Sequence, residues 1–358
     1  MASFDFKINN FDLLRLIAAL QVVIVHAHEH FNVETGDGFI SILSLFPGVP
    51  IFFVISGFLI SASLERSKSL SSYIINRIVR IFPALWICFF LSNIILYFVF
   101  PVDFLSLDFF IWSIAQLTFF QFYNPEFLRG FGVGVLNGSL WTIPIELQFY
   151  LFLPFFYFIF KSLRWSSLFF VVIFILSMAV NVFYTSLNAV GNTIFVKLLG
   201  VSVFPYLFMF MVGIFLQQNR WIVKRFLYGK VLYWLVVYIA LSFSLEKLGF
   251  LTKGNYLNPL SAGVLSLLVI SFSYSFTNSF KNILRGNDIS YGLYVYHMVI
   301  INVLIEMAIF DTASAFFFAV LTSIISAFLS WRFVERPALR LKNFRWRELS
   351  RKSSTRIY

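Results

Sequence analysis

Charge and cysteine are both scarce in this sequence. Only 12% of its 358 residues are Asp, Glu, Lys or Arg, about half of the fraction that a water-soluble domain carries. This scarcity argues against a soluble enzyme. There is one cysteine, Cys88, so an intrachain disulfide is excluded. Low-complexity linkers and sequence repeats are also not evident.

Apolar residues predominate in the sequence. The sequence is 60% hydrophobic and contains 50 Phe, and its repeated apolar runs of about 20 residues are typical of transmembrane helices. We therefore predict an all-α, polytopic integral membrane protein with about ten transmembrane helices. The predicted spans are 10–28, 46–64, 81–100, 141–160, 166–184, 200–217, 230–245, 259–278, 289–309 and 314–333.

The basic residues predict how these spans are oriented, because Lys and Arg collect in cytoplasmic loops. They lie at Lys7, in the segments 66–80, 161–164, 220–230 and 281–285, and in the tail after Arg336. With ten spans, all of these positions fall on one side, so both termini are expected in the cytoplasm. If the short stretch 108–123 were a further span, the basic positions before it and after it would lie on opposite sides of the membrane. We therefore expect 101–140 to be extracytoplasmic or re-entrant. The net charge of +11 is explained by contact with anionic membrane lipids and requires no nucleic acid.

Ionisable side chains inside a bilayer cost about 2.5–3.5 kcal/mol each on insertion scales, so they are candidates for function. Few are present here. Those in the predicted spans or at their ends are Asp12, Arg15, His26, Glu146, His297, Glu306 and Glu335.

Arg15 and His26 lie in the first predicted span, with ten residues between them. In an α-helix this spacing places both on one face, ~16 Å apart along the axis. Ala18, Ala19 and Val22 lie along that face and predict a narrow passage between the two polar groups. Taken singly, Arg15 also fits an arginine that snorkels to the headgroups, and His26 fits a histidine that packs helices together.

Two neighbours of this pair bear on its chemistry. Asp12 precedes Arg15 by three residues and can orient its guanidinium. It is also a candidate to line the substrate cavity. His26 and His30 have the i, i+4 spacing that metal ligands use. No third ligand stands at a recognisable spacing, so we expect no metal site.

Glu146 lies in the fourth predicted span, at a depth similar to that of His26. A carboxylate and an imidazole at matching depth can form a general-base pair, in which the carboxylate orients the ring. The alternative is that Glu146 is a structural partner for another donor. Trp141, just before it, suits the membrane interface and is a candidate to contact substrate.

Arg77 and Arg80 are three residues apart at the inner end of the third predicted span. This spacing places both on one side of a helix, where they can bind phosphate. The preference of basic residues for the cytoplasmic side explains them equally well. Tyr291 and His297, in the ninth predicted span, are expected to line a cavity.

Together these residues resemble the membrane acyltransferase-3 family, of the polysaccharide O-acetylase type. The resemblance covers about Phe11 to Pro337. It rests on six ordered blocks: FDLLRLIAALQVVIVHAH, GVPIFFVISGFLIS, YIINRIVRIFPALW, LWTIPIELQFYLFLP, ISYGLYVYH and FVERP. The chain departs from the family pattern at Leu13, where Gly is usual, at Pro144, where Ser is usual, and at Leu147, where a second acid is usual.

The resemblance implies a membrane acyltransferase domain at 1–337, followed by a basic cytoplasmic tail at 338–358. It implies transfer of an acyl group, most often acetyl, from cytoplasmic acyl-CoA to a hydroxyl of a cell-surface or lipid-linked glycan. It also implies the bacterial inner membrane as the location. The key positions of the family fall on Arg15, His26, Arg77, Arg80 and Glu146.

The mechanism that follows is a hypothesis. Arg15, Arg77 and Arg80 bind the phosphates of CoA, and the pantetheine arm lies along the passage towards His26. His26, oriented by Glu146, either deprotonates the sugar hydroxyl or takes the acyl group itself. The sequence leaves both routes open.

Two other classes of function remain to be compared. A transporter or flippase for a lipid-linked sugar or small anion would also use buried Arg, Glu and His. Its internal repeats are not evident here. An inert membrane partner of a glycan-synthesis complex would tolerate alanine at Arg15, His26 and Glu146.

Overall fold

The structure is a computed structural model. It describes residue 6 and residues 8–162, 166–191, 193–280, 283–284 and 286–340. The predictions that rest on Lys7, on Arg164, on Lys281 and Arg285, and on most of the basic tail fall outside the described residues.

The described residues form helices and contain no strand. In chain order the helices are α1 Phe11–His30, α2 Asp37–Ser44, α3 Gly48–Arg66, α4 Leu70–Val99, α5 Leu107–Leu117, α6 Thr142–Ser162, α7 Ser166–Val190, α8 Ile194–Gly200, α9 Leu207–Gln218, α10 Arg220–Ile222, α11 Val231–Lys247, α12 Pro259–Ser273, α13 Thr277–Phe280, α14 Ser290–Met307 and α15 Thr312–Ser330. Short 3₁₀ turns lie at Glu126–Leu128 and Gly138–Trp141, and π-helical turns lie at Val223–Leu227 and Trp331–Glu335.

Several helix starts follow directly from the sequence, because a Ser, Thr or Asp side chain accepts a hydrogen bond from a free amide of the first turn. Ser69 caps α4 in this way, Ser106 caps α5 and Asp311 caps α15.

Seven helices of the described chain are long and apolar enough to cross a membrane. They are Phe11–His30, Asp37–Arg66, Leu70–Val99, Gly138–Ile159, Ser167–Val190, Ser290–Met307 and Thr312–Arg340. They coincide with seven of the predicted spans, so the chain is an all-α integral membrane protein, as predicted.

The other three predicted spans fall on shorter or bent helices. α9 has 12 residues and α12 has 15, which gives ~18 and ~22 Å against the ~30 Å of a bilayer core. Arg220–Leu227 and Val231–Lys247 pass the test together but are bent by 84°. The count of ten spans and the cytoplasmic termini stay predictions. The 11 residues of α5 span only ~16 Å.

The chain divides into two compact units. The first comprises Met1–Arg66 and Trp141–Ser290, and the second comprises Ser67–Leu140 and Tyr291–Tyr358.

The first unit is built around a close contact between α3 and α9. A Cβ atom added to Gly57 would lie 2.1 Å from the carbonyl oxygen of Phe210, and one added to Gly213 would lie 2.3 Å from that of Val54. Real Cβ atoms do not approach so closely, so only glycine fits at either position. Small residues of this kind allow membrane helices to pack backbone against backbone.

The same unit contains a break between α8 and α9 at residues 201–206. The Gln148 side chain on α6 donates to the carbonyl of Val201 at 2.9 Å and accepts from the amide of Val203 at 3.0 Å. Ser177 on α7 also supports this segment by donating to the carbonyl of Phe204. Non-helical backbone within a membrane protein requires such partners, because lipid supplies none.

In the second unit, the segment before α6 is held against α14. Asn302, fully buried on α14, accepts from the amide of Val133 at 2.8 Å, and Glu306 accepts from the amide of Gly132 at 3.1 Å. Gly132 has a φ of +51°, which disfavours a side chain there. Glu306, an ionisable residue of the ninth predicted span, therefore has a structural partner.

Candidate active site

The first candidate cluster surrounds Arg15 near the start of α1. The start of this helix is fixed by Asn10, whose amide and side chain donate to the carbonyls of Ser273 and Ser275 at 2.8 and 2.7 Å. Arg15 then forms an ion pair through Nη2 with Asp12, one turn earlier. The pair expected from their spacing is thus present, while a role of Asp12 at a substrate cavity stays a prediction.

A second carboxylate completes this cluster. Nη1 of Arg15 lies 3.0 Å from Oδ2 of Asp288. Asp288 also accepts hydrogen bonds from the amide and the hydroxyl of Ser290 through Oδ1, at 3.3 and 2.5 Å. The guanidinium of Arg15 is therefore held by two carboxylates of the protein. This arrangement differs from that of an arginine that snorkels freely to lipid headgroups.

His26 lies in the same unbroken helix as Arg15, so the predicted sharing of one helix face is correct. Its ring is partly buried and stands 5.9 Å from that of His30, with an angle of 41° between the planes. Within the described residues, no group of three or more His, Cys, Asp or Glu side chains is placed to hold a metal ion.

Residues between Arg15 and His26 on α1 pack closely against the start of α3. A Cβ atom on Gly48, at the start of α3, would lie 2.3 Å from the carbonyl oxygen of Ala18 and 2.7 Å from Val22. The amide of Gly48 also donates to Gln21 at 2.7 Å. The backbone of Ala18 and the side chain of Val22 thus contact the start of α3, because the glycine lets the two helices approach. The passage between Arg15 and His26 stays a prediction.

Glu146 forms the second candidate cluster, on α6. Its Oε1 accepts a hydrogen bond from the Ser56 hydroxyl of α3 at 3.0 Å and another from the Tyr150 hydroxyl, one turn later on α6. Among the residues that the structure describes, no hydrogen bond to Oε2 is seen. The carboxylate is therefore oriented by two donors that engage the same oxygen. The pairing of Glu146 with His26 stays a prediction.

Trp141 lies in the short turn that leads into α6. Its partly buried ring stands 5.8 Å from that of Tyr206, which is itself fully buried. Tyr206 donates through its hydroxyl to the carbonyl of Gly200 at 3.1 Å. Trp141 therefore packs beside the break between α8 and α9, and its contact with substrate stays a prediction.

The remaining candidates belong to the second unit. Arg77 and Arg80 lie within the continuous helix α4, both partly buried, so the predicted placement on one side of a helix is correct. Tyr291 donates to the carbonyl of Ile81 at 2.9 Å. His297 is fully buried, and its Nδ1 lies 2.9 Å from the carbonyl oxygen of Tyr294.

This contact bears on the tautomer of His297. A carbonyl oxygen only accepts hydrogen bonds, so a neutral ring in this position carries its proton on Nδ1. The predicted role of His297 at a cavity stays a prediction.

Sequence reasoning did not predict three of the hydrogen-bond or ion-pair partners of the candidate residues. They are Ser56 and Tyr150 on Glu146, and Asp288 on Arg15. The i, i+4 spacing of Glu146 and Tyr150 was a signal that the sequence contained. The other two contacts join segments far apart in the chain, and no local pattern reveals them.

Comparison with known proteins identifies the class to which this chain belongs. Residues 8–332 match the family described as Acyltransferase domain, Acyl_transf_3. The chain belongs to this family, as the sequence blocks indicated, and it is a membrane acyltransferase.

Individual relatives agree with this assignment. Nodulation protein 10 of Rhizobium leguminosarum bv. viciae is 30% identical over 350 residues, which are 93% of this chain and 94% of that protein. Peptidoglycan O-acetyltransferase OatA of Listeria monocytogenes is 27% identical over 365 residues, 91% of this chain and 55% of that protein. An O-acetyl transferase of Shigella phage Sf6 is 32% identical over 160 residues, 40% of this chain and 44% of that protein. No solved structure matches the chain.

Proposed function

We propose that this membrane acyltransferase moves an acetyl group from acyl-CoA, bound at the cytoplasmic side of the bacterial inner membrane, to a hydroxyl of a cell-surface or lipid-linked glycan. The observation that carries the proposal is the pair of polar groups on one face of α1. Arg15 is held by two carboxylates, and His26 lies about three turns further on in the same helix. Relatives named as O-acetyltransferases support acetyl as the group transferred.

The donor side of the proposal uses guanidinium groups. Arg15, Arg77 and Arg80 bind the phosphates of CoA, because a planar guanidinium can donate two hydrogen bonds to one phosphate. The position of these arginines near predicted cytoplasmic ends of helices supports this role. The acceptor is proposed to be a glycan because one relative is named for peptidoglycan.

The chemical step uses an imidazole. His26 takes the proton from the sugar hydroxyl while the oxygen attacks the thioester carbonyl, the C–S bond breaks, and the proton passes to the CoA thiolate. In the second route, a ring nitrogen of His26 attacks the thioester carbonyl first, the C–S bond breaks and CoA leaves as the thiolate. The sugar oxygen then attacks the acyl carbon, the C–N bond to the ring breaks, and the hydroxyl proton passes to the thiolate. In both routes, Glu146 orients the ring and stabilises its positive charge.

The test measures transfer of labelled acetyl from acetyl-CoA to surface glycan in membrane vesicles. We expect His26→Ala to abolish transfer, whereas His28→Ala, a histidine of the same helix on a different face, retains it. Quantification of the inserted protein excludes loss of expression. Transfer by His26→Ala at the wild-type rate would remove His26 from the chemistry. Movement of unmodified sugar across the membrane without acetylation would favour a transporter.

A further inference from the structure

The two carboxylates that hold Arg15 differ in their exposure to solvent. The side chain of Asp288 is 8% exposed, whereas that of Asp12 is 48% exposed. Asp288 is also fixed by Ser290 through its other oxygen. Asp288 is therefore a permanent part of the site, and Asp12 is free to leave the guanidinium for water at small cost.

One edge of the guanidinium is incompletely used. Nε and Nη2 of an arginine lie along the same side of its planar fork and together can donate to one anion. In this protein Asp12 engages Nη2, while Nε of Arg15 is buried and has no hydrogen-bond partner among the described residues. Buried donors normally have partners, so this atom marks a place for an acceptor.

We propose that Asp12 occupies the place of a donor phosphate and is displaced when the donor binds. This inference rests on the proposed use of acyl-CoA. Asp288 keeps Nη1 and holds the guanidinium in position, while a phosphate group of CoA replaces Asp12 and accepts from both Nε and Nη2. Asp12 and Asp288 thus have opposite effects on the binding of the donor at Arg15. Asp12 competes with the donor and Asp288 prepares the site for it.

The experiment compares Asp12→Asn and Asp288→Asn in the purified full-length protein in neutral detergent. Removal of the competing carboxylate in Asp12→Asn should lower KM for acetyl-CoA about threefold to tenfold, with kcat unchanged. Asp288→Asn should raise KM about tenfold or more, because the guanidinium loses its buried partner. Glu246→Gln, which removes one carboxylate from an exposed ion pair with Lys253, controls for net charge and should leave KM unchanged.

A double variant tests whether the gain passes through Arg15. Lysine has no Nε and Nη2 edge, so the lower KM of Asp12→Asn should vanish in Asp12→Asn/Arg15→Lys relative to Arg15→Lys alone. Persistence of the full gain in the lysine background would overturn the proposal, because the effect would then be unspecific repulsion. An unchanged or higher KM for Asp12→Asn would also overturn it.

Binding of labelled CoA, the product, provides a readout that does not depend on turnover. It also separates failure of this inference from failure of the proposed function. No acetyl transfer by the wild-type protein refutes the function, while opposite shifts of CoA affinity in the two variants still support the inference. A headgroup phosphate is distinguished by adding phosphatidylglycerol. Asp12→Asn could strengthen inhibition by this lipid and leave the affinity for CoA unchanged. The phosphate that replaces Asp12 would then belong to a lipid, and the donor proposal would be overturned.

Discussion

Tyr150 donates a hydrogen bond through its hydroxyl to Oε1 of Glu146, one turn earlier on α6. The same oxygen accepts from Ser56 on α3 at 3.0 Å. These two donors restrict the orientation of the carboxylate, and both of them bind Oε1, not Oε2. Such positioning matters in catalysis, since a small misplacement of an orienting group lowers the rate strongly.

Tyr150→Phe should therefore lower kcat of the proposed acetyl transfer. The substitution keeps the ring and removes one hydrogen bond to a charged group, which is expected to reduce kcat about tenfold to a hundredfold. KM for acetyl-CoA should change little, because the hydroxyl acts on Glu146 and not on the donor. Initial rates at varied acetyl-CoA concentration measure both quantities.

Tyr157→Phe provides the matched control for this prediction. Tyr157 lies on the same helix and donates to Glu65, a different carboxylate, at 3.0 Å. Its removal should leave kcat near the wild-type value. Equal losses in both variants would show that the effect is general to α6, and would contradict a specific role of Tyr150.

The arginines of α4 are expected to act on the donor through its phosphates. Arg80→Ala should raise KM for acetyl-CoA about tenfold. KM for S-acetylpantetheine, which lacks the nucleotide and its phosphates, should not change. Arg66→Ala, at the exposed end of α3, is the control and should leave both values unchanged. A similar rise of KM for both donors in Arg80→Ala would place Arg80 away from the phosphates.

Asn302 is expected to hold the segment before α6 in place. It accepts from Val133 and donates to the carbonyl of Leu136 at 3.2 Å. Asn302→Leu should therefore increase amide hydrogen exchange in residues 132–136 about tenfold, since buried backbone groups lose their partner. Hydrogen exchange followed by mass spectrometry measures this change.

The control for Asn302 is Asn93→Leu, because the hydrogen bond that Asn93 donates within the described chain is to the carbonyl of Phe89 in its own helix, at 2.8 Å. Its exchange in residues 132–136 should equal that of the wild type. If Asn302→Leu also leaves exchange there unaltered, the side chain is dispensable for docking this segment.

Local features of this fold could be predicted from the sequence, because they depend on residues close in the chain. The apolar runs predicted seven of the observed long helices, and the three-residue spacing predicted the pair of Asp12 and Arg15. The contacts of Asp288 with Arg15 and of Ser56 with Glu146 join different helices. Neither contact leaves a periodic signal in the sequence.

The break at residues 201–206 shows a second limit of the sequence. The apolar run 200–217 predicts one continuous span, because average hydropathy carries no information about the hydrogen-bond partners of the backbone. In the structure Gln148 and Ser177 supply partners for the non-helical segment, so a continuous helix is not required. These partners lie on other helices, and only their assembly makes the break possible.

Close packing of α3 against α9 gives the last prediction. Gly57→Ala places a methyl group where the carbonyl oxygen of Phe210 already lies within 2.1 Å. The helices must separate, and we expect a loss of about 1–3 kcal/mol or more in the free energy of unfolding. Gly263→Ala, a helical glycine of α12 with no atom within 4 Å of the added Cβ, should be neutral or stabilising by up to about 1 kcal/mol.

Thermal unfolding of the purified variants in detergent separates these two outcomes. Both substitutions add one methyl group to a glycine within a helix, so their difference isolates the contact with α9 from helix propensity. Because α3 also carries Ser56, the separation of the helices should lower acetyl transfer together with stability in Gly57→Ala. Equal unfolding temperatures for Gly57→Ala and Gly263→Ala would mean that α3 and α9 are not in backbone contact at this position.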